Sequence, residues 1–284
     1  ADFVELDGHP NDDHQHGTHV ASLIASTGWI QGTAPGVTLM PVKVLDWMNQ
    51  GTEWALIEGL HHAVDHGADV INLSLSFPLG YSPSVALQDA LGRAADAGIV
   101  MVAAAGNDGD TELTWPAASR LVIAVGATAP TSPNTQGAST YTNLSPRVDV
   151  LAPGGSLAVD RTADTWPDGI LAETIEPGDP TRLGYWFYQG TSQATALVSG
   201  AVVRMLAAGV DGTEIRPTLQ AEDFDATTSE SQGFGVPPLD LDNALDHPNG
   251  GVDVLAGVLP WLGQGGGGLV VPSARVVIVD GEGD

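Results

Sequence analysis

Four stretches, residues 37–45, 70–75, 99–105 and 121–127, are nearly unbroken runs of aliphatic and small side chains. A strand with one face in water would alternate polar and apolar residues. An unbroken run of this length predicts a strand buried on both faces, as in a parallel sheet with helices on either side. Between the runs, residues 52–66 and 84–97 have helical composition and apolar spacing. Thr52 stands where a helix start is expected, while Gly67 and Gly98 stand where helices favour glycine at their ends. Strand and helix alternating at this spacing predict βαβ units with right-handed crossovers. The expected fold is α/β: a three-layer α/β/α sandwich around a mostly parallel, doubly wound sheet.

A further long helix is expected from Thr191 to Gly209, after a less regular stretch rich in Thr, Ser, Pro and Gly over residues 128–190. Past Leu245 the character changes, with the turn cluster His247-Pro248-Asn249-Gly250-Gly251 and four consecutive glycines at 265–268. Residues 1–247 therefore read as one domain. Residues 248–284 read as a Gly-rich linker and a C-terminal tail carrying a short strand-like piece, Val276 to Val279.

Charge narrows the function. Among 284 residues, 35 carboxylates outnumber 9 basic side chains, a formal charge of −26. Such a surface repels phosphate backbones, which argues against nucleic-acid binding, and it disfavours anionic membranes. No apolar run reaches the ~18 residues of a membrane-spanning helix. The sequence has no cysteine, which removes disulfides, thiolate metal sites and cysteine nucleophiles together. A single lysine, Lys43, among so many carboxylates suits the hydrated surface of a secreted or salt-adapted protein and leans towards an extracellular one.

Three segments could carry chemistry. In Gln189-Gly190-Thr191-Ser192-Gln193-Ala194, Ser192 at a helix start is ordinarily a cap. The same position also suits a nucleophile, because free N–H groups and the positive end of the helix dipole stabilise an oxyanion. A hydroxyl nucleophile needs a base. The segment Asp12-Asp13-His14-Gln15-His16-Gly17-Thr18-His19 offers one in His16, although His14, His16, His19 and the nearby carboxylates equally have zinc-like ligand content. His62 and His66, four apart on a helix, read as exposed polar residues. In Val102-Ala103-Ala104-Ala105-Gly106-Asn107, Asn107 follows a buried strand. It is either a turn residue or, at the carboxyl end of a strand where such folds bind ligands, a donor to an oxyanion.

Taken together, His16-Gly17-Thr18-His19-Val20-Ala21-Ser22, Ala104-Ala105-Gly106-Asn107 and Gly190-Thr191-Ser192-Gln193-Ala194 resemble the histidine, oxyanion and serine motifs of the subtilisin-like serine proteases, in the same order. The resemblance covers roughly residues 1–247, including Asp69-Val70-Ile71-Asn72-Leu73-Ser74-Leu75 and Asp149-Val150-Leu151-Ala152-Pro153-Gly154. It implies peptide-bond hydrolysis, with His16 as general base, Ser192 as nucleophile and Asn107 in the oxyanion hole. It further implies that Ser74, Leu75 and Ser76 pair with an extended substrate and that Ala103, Ala104, Ala105 and Gly106 wall the specificity pocket. Polypeptides are the implied substrates, a propeptide the implied folding partner, and a monomer the expected state. No cofactor is required. The usual calcium insertion has no counterpart in Gly28 to Gly36; structural calcium in carboxylate-rich loops such as Asp164 to Asp179 stays open, without ligand spacing to support it.

One part of the pattern breaks. The resemblance implies a catalytic Asp at the end of a first strand, well upstream of the histidine, yet only fifteen residues precede His16. Asp7 lies nine residues before it in an interrupted apolar context. The expectation is that the first strand and its Asp are missing, lying upstream of Ala1. Turnover by the chain alone would then fall by about 10⁴, the worth of an acid that fixes the imidazole tautomer. Two other readings stand behind the protease: a non-catalytic binding module on the same fold, and a metal-dependent hydrolase built on His14, His16 and His19.

Overall fold

The structure, a computed structural model, describes residues 1–132, 135–161, 165–220, 229–230 and 275–280. The expected linker, 248–274, lies outside the described residues. The buried runs form β1 (Thr38–Val42), β2 (Val70–Ser74), β3 (Val100–Ala104) and β4 (Val122–Ser132), and they alternate with α2 (Glu53–Asp65) and α3 (Val85–Asp96). Every residue of β2 and β3 is buried, as continuous apolar runs require. β1 differs: it lies at the end of the sheet, is half-exposed and carries Pro41, a residue that sheets confine to such positions.

Capping fixes the helix ends. Thr52 Oγ1 accepts from Ala55 N at 3.1 Å, and Ser84 Oγ accepts from Leu87 N at 3.1 Å. Gly67 follows α2 in a left-handed conformation with φ 69°, which costs glycine nothing. Helix α1 (His16–Ala25) and the long α4 (Thr191–Ala207) complete the set that covers the sheet, and α5 (Gly212–Gln220) packs on α4.

Two cores flank the sheet. One joins Val20, Ile24 and the α4 residues Val198, Val202 and Met205 to Val70, Val102 and Val125. The other joins Leu56, Leu60, Leu87 and Leu91 of α2 and α3 to Ile71, Leu73, Met101 and Ala103. Successive strand residues thus feed opposite cores, which makes the expected three layers. β5 (Thr135–Ala138), β6 (Val150–Pro153) and β9 (Ser229–Glu230) extend the sheet beyond β4. Residues 170–188, read from sequence as irregular, fold back as an antiparallel pair, β7 (Ile170–Glu176) with β8 (Asp179–Tyr188). Its strands are half-exposed and mix the two kinds of residue on both sides, with Leu183 and Trp186 exposed and Thr174 buried, which hides the apolar pattern.

The sheet departs from expectation beside its edge strand β1. Among the described residues no sheet strand precedes α1; residue 2 makes only an isolated bridge to Lys43. Instead β10 (Arg275–Asp280) runs parallel between β1 and β2. The strand-like piece assigned from sequence to a tail therefore belongs to the main sheet. Apolar runs pair by burial, and chain order does not prescribe spatial order.

α4 approaches the turn after α1 so closely that position 200 has no room for a side chain. A Cβ on Gly200 would lie 1.7 Å from Thr33 Oγ1 and 3.3 Å from the backbone N of Ala34. Overpacking, about 1–3 kcal/mol, should exceed the ~1 kcal/mol that alanine gains in a helix. Gly200→Ala is expected to lower the urea midpoint of unfolding at unchanged m-value.

Candidate active site

Ser192 is the second residue of α4 and is 1% exposed. Its position is set by a buried polar chain between α4 and β2. Ser199 Oγ donates to Asn72 Oδ1 (2.9 Å), Asn72 Nδ2 donates to Ser74 Oγ (2.9 Å), and Ser74 Oγ donates to Ser192 O (3.0 Å). The Ser192 hydroxyl rests on Ser74 O at 3.4 Å, a contact long enough to be exchanged readily for a better acceptor. The first N–H groups of α4 have no partners one turn back within the helix, so this end can stabilise negative charge.

Asn107 meets the same turn. Its Oδ1 accepts from both Thr191 N and Thr191 Oγ1 at 2.9 Å, so the donor end of the amide is the opposite one. Asn143, which sequence reasoning did not single out, shapes the loop behind it. Asn143 is fully buried; its Oδ1 accepts from Asp108 N and Asp110 N, and its Nδ2 donates to Asp108 Oδ2 and Glu112 O. Gly106, with φ 112°, lies against it, and an added Cβ would meet Asn143 Nδ2 at 2.4 Å.

His16 opens α1 and is 2% exposed. The preceding residue, Gln15, has φ 89°, a left-handed conformation uncommon for a side chain of its size. Three bonds hold it there: its N–H donates to Asp12 Oδ1, its carbonyl accepts from the Thr174 hydroxyl, and its Oε1 accepts from Tyr188 Oη at 2.8 Å. Tyr188 stands four residues before Ser192, so this clasp ties the start of α1 to the start of α4. Strain held by surrounding structure is characteristic of functional positions.

Asp12 anchors the other side. Burial alone would raise its carboxyl pKa, but bonds from the Thr18 hydroxyl, Thr18 N, His14 N and Gln15 N outweigh it and hold the pKa below the usual carboxylate value. The sequence signal was there, an Asp just ahead of a helix start, but its proximity to histidines suggested a ligand instead.

His19 is a different histidine. It is fully buried, its Nε2 is 3.2 Å from Trp186 O, and its ring meets that of Tyr188 edge-on at 4.6 Å. Burial, aided by the charge of His16, lowers its pKa to about 4 against the opposing carbonyl contact, so it stays neutral at physiological pH. Among the described residues no three His, Asp or Glu side chains gather as a metal set, and much of the carboxylate-rich stretch 164–179 is β7. The rings of His62, on α2, and His66, just past its end, lie 3.8 Å apart and tilted by 31°. The remaining expected residues fall where the runs put them. Ser74 and Leu75 are buried at the end of β2 with Ser76 half-exposed, and Ala103, Ala104 and Ala105 are buried at the end of β3.

The family profile described as "Subtilase family" matches residues 4–235. The chain belongs to the subtilase family. Thermitase of Thermoactinomyces vulgaris is 36% identical over 224 residues, covering 77% of this chain and 71% of thermitase. Subtilisin DY of Bacillus licheniformis is 34% identical over 213 residues, covering 72% and 68% respectively. Among solved structures, a cold adapted subtilisin-like serine proteinase superposes with a TM-score of 0.64 at 27% identity, covering 84% of this chain and 77% of that one. The self-cleaved protease domain of PatA superposes with a TM-score of 0.65 at 25% identity over 86% of each chain. Membership makes the chain a subtilisin-like serine peptidase. Among the described residues no helix is long and apolar enough to cross a membrane.

Two outcomes follow from the supporting groups of this subtilase. Asp12→Asn should destabilise the protein by about 1–3 kcal/mol at neutral pH. A carboxylate with a depressed pKa stabilises fully above its unfolded value, and that stability is lost as pH falls through the native value. The gap between wild type and variant should therefore close on acidification, as read from denaturation midpoints across pH. Asn143→Ala should cost about 1–3 kcal/mol, because it strips a partner from the Asp108 and Asp110 amides. It should also lower kcat by loosening the Asn107 loop, which peptide-hydrolysis kinetics would register.

Proposed function

We propose that the chain hydrolyses peptide bonds through an acyl-enzyme on Ser192. The Ser192 hydroxyl attacks the scissile carbonyl carbon while His16 takes its proton. His16 then returns the proton to the leaving amine. Water repeats the sequence in reverse on the acyl-enzyme. The Asn107 amide and the Ser192 N–H hold the oxyanion. An extended polypeptide pairs with residues 74–76, and its side chain enters the pocket walled by Ala103 to Gly106. The acidic surface and single lysine support action outside the cell.

The observation that carries this reading is the grip of Thr191 on Asn107 Oδ1, through both its N–H and its hydroxyl. A turn residue needs no such clamp. An oxyanion donor does, because its value lies in being oriented before charge develops. Loss of one such donor costs about 10²–10³ in kcat in a subtilisin, the worked case for this effect. Asn107→Ala is expected to lower kcat by that order with KM little changed. Ser192→Ala should abolish both peptide hydrolysis and labelling by a fluorophosphonate. Labelling that survives Ser192→Ala would remove Ser192 as the nucleophile.

A further inference from the structure

The residue that follows the nucleophile is a glutamine with nothing to bond. Gln193 is fully buried, and neither its Oε1 nor its Nε2 has a partner among the described residues. The hydroxyls around it on α4, those of Thr191, Thr195 and Ser199, are all bonded. A buried amide with both ends unsatisfied is costly, and where a fold retains one it calls for a physical reason.

The helix period places the amide. Ser192 and Ser199, seven residues apart, both bond to β2. Gly200 and Arg204 mark a different stripe of α4. A Cβ on Gly200 would meet Thr33, and Arg204 Nη1 donates to Thr33 O at 3.4 Å, in the turn after α1. Residue 193 lies seven before Gly200, so it belongs to that stripe, on the side of α4 that α1 covers. α1 and α4 run side by side in the same direction. Tyr188 Oη donates to Gln15 Oε1 where both helices begin, and Thr33 meets Gly200 farther along. Helical side chains lean towards the N-terminus of their helix. Gln193 therefore reaches back over the first turn of α4, towards the gap between the two helix starts, where Ser192 and His16 stand.

We propose that Gln193 is a catalytic residue for the second half of the reaction, its Oε1 accepting from the water that attacks the acyl-enzyme. One proton of that water passes to His16. The other is held by Gln193 Oε1, which turns a lone pair of the water oxygen towards the acyl carbonyl carbon. The new C–O bond forms and the bond to Ser192 Oγ breaks. His16 then returns its proton to Oγ, leaving a free carboxylic acid and a restored serine. The leaving amine and the incoming water occupy the same place in turn, so an acceptor there serves the water without obstructing the amine. The inference rests on the proposed roles of Ser192 and His16. An amide with a purely structural role would be bonded within the fold, as those of Asn72 and Asn143 are.

The test compares the full chain with Gln193→Met, which keeps the length of the side chain and removes both polar atoms. Burst kinetics with p-nitrophenyl acetate separate acylation from deacylation. Gln193→Met should slow deacylation about tenfold, the worth of one well-placed hydrogen bond. Labelling by a fluorophosphonate, in which no water takes part, should change less than about threefold. The variant should also have a higher urea midpoint of unfolding, because two unsatisfied polar atoms leave the interior. Deacylation within twofold of wild type overturns the assignment. So does a fall in labelling as large as the fall in deacylation, or a variant that is less stable or does not fold. A wild-type chain that shows no burst and takes no label defeats the proposed hydrolysis itself. A wild type that does both, while Gln193→Met deacylates normally, defeats this inference alone.

Discussion

The site depends on a helix with almost no exposed surface. α4 runs through the interior with Thr191, Ser192, Gln193, Thr195 and Ser199 all buried, and a buried hydroxyl without a partner costs about 1–3 kcal/mol. Each hydroxyl is engaged: Thr191 by Asn107, Ser192 by the carbonyl of Ser74, Thr195 by the carbonyl of Thr191 one turn back, Ser199 by Asn72. Sliding α4 along β2 would break the Asn72–Ser74–Ser199 chain at several points together. The register of helix on strand is therefore fixed by polar groups inside an apolar core, and Ser192 inherits its place from that register. Gln193 is the exception, its amide atoms finding no partner among the described residues.

Environment separates two histidines that the sequence presents as equals. His16 and His19 lie three residues apart on α1. His19 is enclosed by the β7–β8 hairpin and held neutral, while His16 sits at the helix start, next to a strained residue clasped from two directions. Residues outside the histidines themselves thus give the two imidazoles different surroundings. Asp12 and Asn143 do similar work for the two loops that converge on α4.

Much of this was legible beforehand. Runs such as Val70 to Leu75 announce buried strands because burial on both faces removes any alternation, and Thr52 and Ser84 announce helix starts because a capping hydroxyl has few substitutes. The motifs around His16, Asn107 and Ser192 pointed to residues that the fold sets at the starts of α1 and α4 and at the end of β3. The β7–β8 hairpin was hidden because half-exposed strands dilute the apolar signal. Asn143 was hidden because a hub for backbone amides looks like any loop asparagine. The place of β10 was hidden for a deeper reason: its aliphatic run says that it is buried, and nothing in the run says between which neighbours.

The position of β10 in the chain has a kinetic consequence. β1 and β2 are separated in space by a strand that is synthesised some two hundred residues after them. Their facing edges offer unpaired backbone groups until that strand arrives, and closing so long a loop is a slow, non-local step. The nascent chain therefore reaches α4 and its serine with the sheet still split in two. Until β10 arrives, β2, whose Ser74 holds Ser192, is paired along one edge only.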